Sequence, residues 1–570
     1  MNKTNTRPFV KQFYKGNKGL LVFMICVSLL TSVGNLAVAW LIQQITDLVG
    51  GNDTGYTITE IALVTACLIA GTAFAYFIIY HTKPKFVARG IAQYKEYIFG
   101  ILAEKKISAF SNESSSLYVS ALTNDIAAVE KGYLLNIFVI TECVPTLIGA
   151  IIMMIWYSPM LTLIAVLLSF MPVLAAILTG GRASAAEKMV SDTNQKYTAS
   201  LKDFIGGFTV VKSFKAETQM CRMFTENVQS LAKAKCKKDK ILVLVEMFAA
   251  IAGLIAQLGV FLAGAYLALS GKGVTAGTVM VFVQMMNYII SPVSVIPTCL
   301  AEYNSARALV EKISAALAEN RPDQGKETVN ALKKGITLKS LTFGYKPEKT
   351  VLNNLNITFE AGKKYAVVGT SGSGKSTLLN LLMASYHNYD GGIYYDDTEL
   401  NCINSDALYD MQSIVQQNVF VFNASLKDNI TMFGDFSESE VDNAIQLSGL
   451  SPLVQEKGKN YICGENGCFL SGGEKQRVSI ARSLLKKASV LLVDEATASL
   501  DAETAFQVSS SILGLEGITC ITVTHDLDES LLKQYDSIIT LKNGTLKEQG
   551  SFDTLISQKG YFYSLYTVSQ

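Results

Sequence analysis

Up to about residue 300 the apolar positions come in long runs that charge rarely interrupts; beyond it they shrink to short groups separated by helix-length amphipathic stretches. Six of the long runs approach or exceed the ~20 residues a helix needs to cross a hydrocarbon core. They lie near Gly19–Ile42, Ile61–Tyr80, Ile137–Tyr157, Leu161–Gly180, Ile241–Leu269 and Val274–Leu300. No proline falls between Lys85 and Val144 or between Val173 and Ser291. Helices leaving the membrane can therefore continue outward through these connections and return. Breaks are expected at Phe110–Ser116 and at Gly206-Gly207, where short turning helices would dock on a cytosolic domain.

Charge orients this half. Lys3, Arg7, Lys11, Lys15 and Lys18 precede the first run, whereas Thr46–Glu60 carries no Lys or Arg. Lys83, Lys85, Arg89, Lys95, Lys105 and Lys106 follow the second run, Tyr157-Ser158-Pro159 is uncharged, and Arg182–Lys240 is again basic. Lys and Arg collect on the cytoplasmic side, so both termini are expected there, and the first run is read as a retained helix rather than a signal peptide. Only 17% of residues are charged, against roughly 25% in soluble proteins. A net charge of +1 argues against a nucleic-acid binder, and ten scattered cysteines are expected as reduced thiols.

Beyond Leu300 a polar segment, Glu319–Gly325, opens a linker over 319–334. From 335 to 570 strands alternate with helices, as in a soluble α/β domain. The strand Lys364–Val368 runs directly into Gly369-Thr370-Ser371-Gly372-Ser373-Gly374-Lys375-Ser376-Thr377. This is P-loop spacing between strand and helix: glycines admit the phosphates, N–H groups face them, Lys375 reaches the β- and γ-phosphates, and Ser376 binds Mg2+. A second strand, Val490–Val493, ends in Asp494-Glu495. Asp494 is placed to hold the magnesium and Glu495 to act as general base for the attacking water.

Leu470-Ser471-Gly472-Gly473-Glu474-Lys475-Gln476-Arg477 resembles the ABC signature sequence. Tyr345 is similar to the aromatic that stacks on adenine, Gln417 to the Q-loop glutamine, Ser499-Leu500-Asp501 to the D-loop and His525 to the switch histidine. Gln417 is thereby implied as a catalytic residue and a magnesium ligand, and Val210–Glu217 resembles the stretch after the second coupling helix of exporter-type proteins. The resemblance covers nearly the whole chain. It implies a half-transporter of exporter-type (type IV) fold: an N-terminal cytoplasmic elbow (1–18), a six-helix membrane domain (19–318), the linker and a P-loop ATPase domain (335–570). Two halves, identical or not, would bind ATP at two composite sites. Lys375 of one would face Ser471, Gly472 and Gly473 of the other, with Asp501 at the same junction.

Cargo is less marked. Glu142 and Glu246 lie inside apolar runs near the cytoplasmic entry, and a cationic cargo bound between them is one reading; snorkelling at the boundary is the other. Asn35, Gln257, Gln284 and Asn287 either line the pathway or join helices. Met280, Met285 and Met286 suit ordinary packing, and Pro292 and Pro297 are expected to kink the last helix. Export of an amphipathic small molecule, lipid or peptide across a bacterial plasma membrane is the expected function. Import of a siderophore or haem-type chelate on the same fold is the alternative, and a non-transporting regulator or channel is a third class.

Overall fold

The computed structural model describes the chain apart from residues 1–5, 52–54, 112–114, 272, 319–326, 328, 330, 347–348, 496–499 and 570, and apart from side chains at 172–184 and a few other helical positions. The chain divides into two compact units. Met1–Glu104 and Ser115–Ala318 form the first; Lys105–Ser114 and Glu319–Gln570 form the second.

The first unit is helical. Helix α1 (Arg7–Tyr14) is amphipathic and buries Phe9 and Phe13. Phe13 stacks on Tyr94 with ring centroids 4.7 Å apart and on Tyr133 at 5.5 Å. Then come α2 (Lys18–Val49), α3 (Ile58–Ala103), α4 (Ile107–Ser111), α5 (Ser115–Leu122) and α6 (Asn124–Glu130), of which α4 belongs to the second unit. A π-helical turn at Lys131–Leu135 leads into α7 (Asn136–Tyr157). Helices α8 (Pro159–Gly206), α9 (Phe208–Ser213), α10 (Glu217–Leu269) and α11 (Ala276–Ala318) complete the set.

Five helical segments among the described residues, α2, α3, Asn124–Tyr157, α10 and α11, are long and apolar enough to cross a membrane. The sixth anticipated span falls on α8, whose described apolar part is Pro159–Met171. Several helices far outrun a bilayer: α10 has 53 residues, about 80 Å at 1.5 Å per residue. The continuation of membrane helices beyond the core is thus observed. Gly207 separates α8 from α9 where a break was expected. In the first connection the chain turns earlier, because α3 closes when Glu104 N–H bonds the Gly100 carbonyl and α4 starts at Ile107. Residues 112–114 of the anticipated break lie outside the described residues.

Polar locks hold the helices at both ends. Asp47 accepts from the Gly277 N–H at 3.0 Å and from the Thr275 hydroxyl at 3.0 Å, capping α11 from the end of α2. A Cβ on Gly277 would sit 2.5 Å from the Asp47 carboxyl, so this cap depends on the missing side chain. At the other end Asn136 donates to the Cys299 carbonyl and to Glu302, and Glu302 pairs with Lys131 at 2.6 Å. Pro292 and Pro297 stand inside α11, which runs as one helix throughout. Met285 and Met286 are fully buried core, and Gln257 bridges to the Val283 carbonyl between helices.

The second unit contains β1 (Gly335–Phe343), β2 (Leu352–Glu360), β3 (Lys364–Val368), β4 (Asp390–Tyr395), β5 (Thr398–Glu399), β6 (Gln412–Val415), β7 (Val490–Asp494), β8 (Thr519–Val523), β9 (Ser537–Lys542) and β10 (Thr545–Gly550). One antiparallel sheet has the order β2-β1-β4-β5; the other runs β10-β9-β3-β8-β7-β6, with β6, β7, β8, β3 and β9 parallel. β3 is buried at every position and β7 at its first four, as parallel strands covered on both faces require. A shared core from Leu338 and Phe343 through Leu378 to Val490 and Ile539 ties the two sheets together. Functional loops are expected at the carboxyl ends of such parallel strands, and β3, β7 and β8 supply them here.

Candidate functional site

After β3 the chain turns through Gly369–Gly374 into the helix Lys375–Leu382. Gly374 has φ of 99°, and a Cβ there would lie 2.4 Å from Leu352 Cδ2, so only glycine lets the loop close onto the strand below. Lys375 is buried, and its Nζ donates to the carbonyls of Gly369 at 2.9 Å and Thr370 at 3.1 Å. The ammonium is thus held at the loop where phosphate oxygens would take over as acceptors. Burial lowers its pKa, and the Glu495 and Asp494 carboxylates work against that. Ser373 Oγ is buried without a partner among the described residues, an orphan polar atom that fits a phosphate-binding loop. Ser371 and Gly372 are exposed at the tip of the turn.

Ser376 and Asp494 come together across the two strands: Ser376 Oγ donates to Asp494 Oδ1 at 3.1 Å. Burial pushes the Asp494 carboxyl up; the Ser376 hydrogen bond opposes this and the neighbouring Glu495 charge adds to it. Two hard oxygens in a half-buried corner suit a magnesium ion. Glu495 has φ of 50°, a left-handed conformation uncommon outside glycine and enriched at functional sites. Its N–H bonds the Val523 carbonyl at 3.1 Å. Its carboxylate is gripped from two sides, by the Gln417 amide at 2.7 Å and by His525 Nε2 at 2.9 Å. Four elements of the chain therefore meet at one carboxylate-lined corner.

Tyr345 is half exposed and packs edge-on against Phe343 and Tyr386, its hydroxyl 3.0 Å from Thr377 Oγ1. Ser471 caps the helix Gly472–Lys486, which begins with Gly472 and Gly473. Glu474 completes the capping box: its N–H bonds Ser471 Oγ at 3.2 Å, and its carboxylate accepts the Ser471 N–H at 2.7 Å. Asp501 caps the next helix, Ala502–Leu513, through the Thr504 N–H at 2.9 Å, and that bond holds its carboxyl below the ordinary range. Ser499 lies outside the described residues. Ser471 to Gly473 make no hydrogen bond to the Gly369–Thr377 loop among the described residues.

One feature escaped the sequence reading. Arg482 donates to the Phe420 carbonyl at 2.7 Å, to the Asn429 carbonyl at 2.6 Å and to Asn429 Oδ1 at 2.8 Å. Asn429 is fully buried and fixes Phe422 from both sides. Spacing gives no signal for this contact, since Arg482 and Asn429 are 53 residues apart. Together they stiffen the segment after Gln417, which walls a cleft of about 420 Å³ lined by Tyr409, Phe420, Met432, Phe436 and Ile107 of α4. The first turning helix is therefore seated in the α/β unit, whereas α9 groups with the helical unit.

In the helical unit Glu142 is half buried and lines a cavity of about 250 Å³ with Asn35, Thr146 and Tyr288. Glu246 and Asn287 are exposed and do not line it.

The chain's residues 21–293 match the family of ABC transporter transmembrane regions, and residues 352–498 match the ABC transporter ATPase family. The uncharacterized ABC transporter ATP-binding protein YwjA of Bacillus subtilis (strain 168) is 30% identical over 484 residues, 83% of each chain. YfiC of the same strain, described in the same words, is 28% identical over 96% of this chain and 92% of its own. An ATP-dependent lipid A-core flippase of Yersinia pestis bv. Antiqua (strain Antiqua) is 29% identical over 82% of this chain and 81% of its own. The solved structure of a bacterial Atm1-family ABC exporter with ATP bound superposes with a TM-score of 0.85 at 21% identity, covering 97% of this chain and 98% of that one. The chain is a member of the ABC transporters, with the exporter-type fold in which membrane and ATPase regions are fused. It binds ATP and couples its hydrolysis to transport.

Proposed function

We propose that the chain is one half of a dimeric exporter that moves an amphipathic molecule across a bacterial plasma membrane, with both termini in the cytoplasm. The observation that carries the ATPase half of this reading is the grip on Glu495: Gln417 and His525 hold its two oxygens beside the Ser376–Asp494 pair. Glu495 takes the proton of the attacking water, and Gln417 and His525 keep its carboxylate pointed at that water. Lys375 leaves its loop carbonyls for the phosphates. Ser376, Asp494 and Gln417 would hold magnesium, which when bound neutralises phosphate charge.

Dimerisation is supported by what one chain leaves unfinished. Ser471, Gly472 and Gly473 sit at a helix N-terminus suited to phosphate, and in a pair they cover the nucleotide held by Lys375 and Tyr345 of the other half, with Asp501 at the junction. On α9 and at its C-terminal cap, Phe208, Val210 and Phe214 are exposed, apolar surface that a second copy would cover. The lipid-flipping relative favours a lipid-like cargo.

The test is transport in inside-out vesicles. ATP-dependent uptake of a fluorescent lipid, lost in Glu495→Gln, supports the proposal. ATP-dependent extrusion of the lipid from such vesicles would reverse the direction and contradict it.

A further inference from the structure

We propose that the cavity between α2, α7 and α11 binds the ammonium head of a cationic amphipath, with Glu142 as its counter-charge. The proposal rests on the transporter reading above and names a chemistry for its cargo.

Glu142 is the one charged residue of the largely apolar α7, where an ionised carboxylate is costly without a partner. Its backbone carbonyl is occupied, accepting from Ser32 at 3.1 Å and from Thr146 at 2.6 Å. Its carboxylate takes neither a hydrogen bond nor an ion pair among the described residues. A cation stands close along the helix, since Lys83 Nζ lies over the Phe138 ring at 5.4 Å, one turn before Glu142. That lysine faces the ring, and no ion pair joins it to the carboxylate among the described residues. Glu142 thus lines the cavity with a carboxylate that no group among the described residues engages.

The other walls describe the occupant. Tyr288 donates its hydroxyl to the Asn35 carbonyl at 3.0 Å, which fixes its ring against α2. The Asn35 side-chain amide has no protein partner among the described residues. Val139, Pro292 and Val295 form an apolar rim. One carboxylate and one amide oxygen are too few for a calcium or magnesium ion, which takes six or more oxygens. A carboxylate beside an aromatic ring and methyl groups suits an alkylammonium, whose charge attracts both. The volume of about 250 Å³ is below the ~300–1,000 Å³ typical of drug-sized ligands. It admits a head group while the tail extends along the helices.

The experiment uses the full chain in lipid nanodiscs with radiolabelled dodecyltrimethylammonium and dodecyl sulfate below their micellar concentrations, and ATPase activity is measured on the same samples. The native protein is expected to prefer the ammonium by about tenfold or more, the scale of one charge-assisted contact. Glu142→Gln, close in shape, should erase that preference; Glu142→Asp should keep part of it, and Glu246→Gln all of it. A preference absent from the native protein, or surviving in Glu142→Gln, overturns the proposal. Loss of ATPase with the ammonium preference intact would count against the transporter reading alone. Intact ATPase without the preference would count against the cavity alone.

Discussion

Glu495 and Glu142 are both half-buried carboxylates, yet their surroundings differ in kind. Glu495 sits at the end of a buried parallel strand with both oxygens engaged at 2.7 and 2.9 Å and its backbone held in a left-handed conformation. Glu142 sits within α7 and lines a small cavity, its carboxylate unengaged among the described residues. The first arrangement is preorganised, as a group must be that acts on one fixed chemistry. The second is permissive, as suits a wall past which cargo has to move. Within one chain, the ATPase unit fixes its charges with hydrogen bonds and the membrane unit leaves one open.

Several substitutions would break or sharpen this contrast. Glu495→Gln should lower phosphate release by about 10²–10⁴-fold, the usual worth of a general base, with nucleotide affinity nearly unchanged in an equilibrium binding assay. A loss below about tenfold would mean that the gripped carboxylate is not the base. Gly374→Ala forces a Cβ into Leu352 at positive φ and should weaken ATP binding by about tenfold or more, read by nucleotide titration. Arg482→Ala removes three hydrogen bonds, two of them to the buried Asn429. It should destabilise the ATPase unit by about 2–4 kcal/mol, seen as an earlier thermal transition.

A pH effect follows from Asp494. Burial raises its carboxyl above the usual aspartate value, so a proton stays on it to higher pH than on a free aspartate. A magnesium ion must displace that proton. The half-saturating magnesium concentration for hydrolysis should therefore rise as pH falls through the raised value, and Asp494→Asn should flatten the dependence. At the smallest end, Glu246→Gln should change ATPase activity by no more than about twofold, since exposed positions away from a site carry little.

The sequence disclosed most where chemistry is contiguous. Gly369–Thr377 follows a strand directly, so loop, lysine and hydroxyl were legible from spacing. The meeting of Gln417, Glu495 and His525 was reachable only through family resemblance, because the partners of Glu495 come from distant loops that the sheet order alone brings together. The Arg482–Asn429 lock was missed for the same reason, without a motif to compensate. Glu474, from which the sequence suggested nothing, proves to close a capping box with Ser471. In the membrane half, hydropathy located the helices, but which polar residue faces a cavity depends on helix rotation. That is why Glu142 and Glu246 looked equivalent along the chain and separate in the fold.

The central claim is that one chain supplies half of each ATP site. It is tested most directly by measuring the Mg-ATP hydrolysis rate and the molecular mass of the protein purified alone, beside Glu495→Gln. The account predicts a hydrolytically active dimer that the substitution silences. A monomer that hydrolyses ATP at the same specific rate at every protein concentration would contradict it.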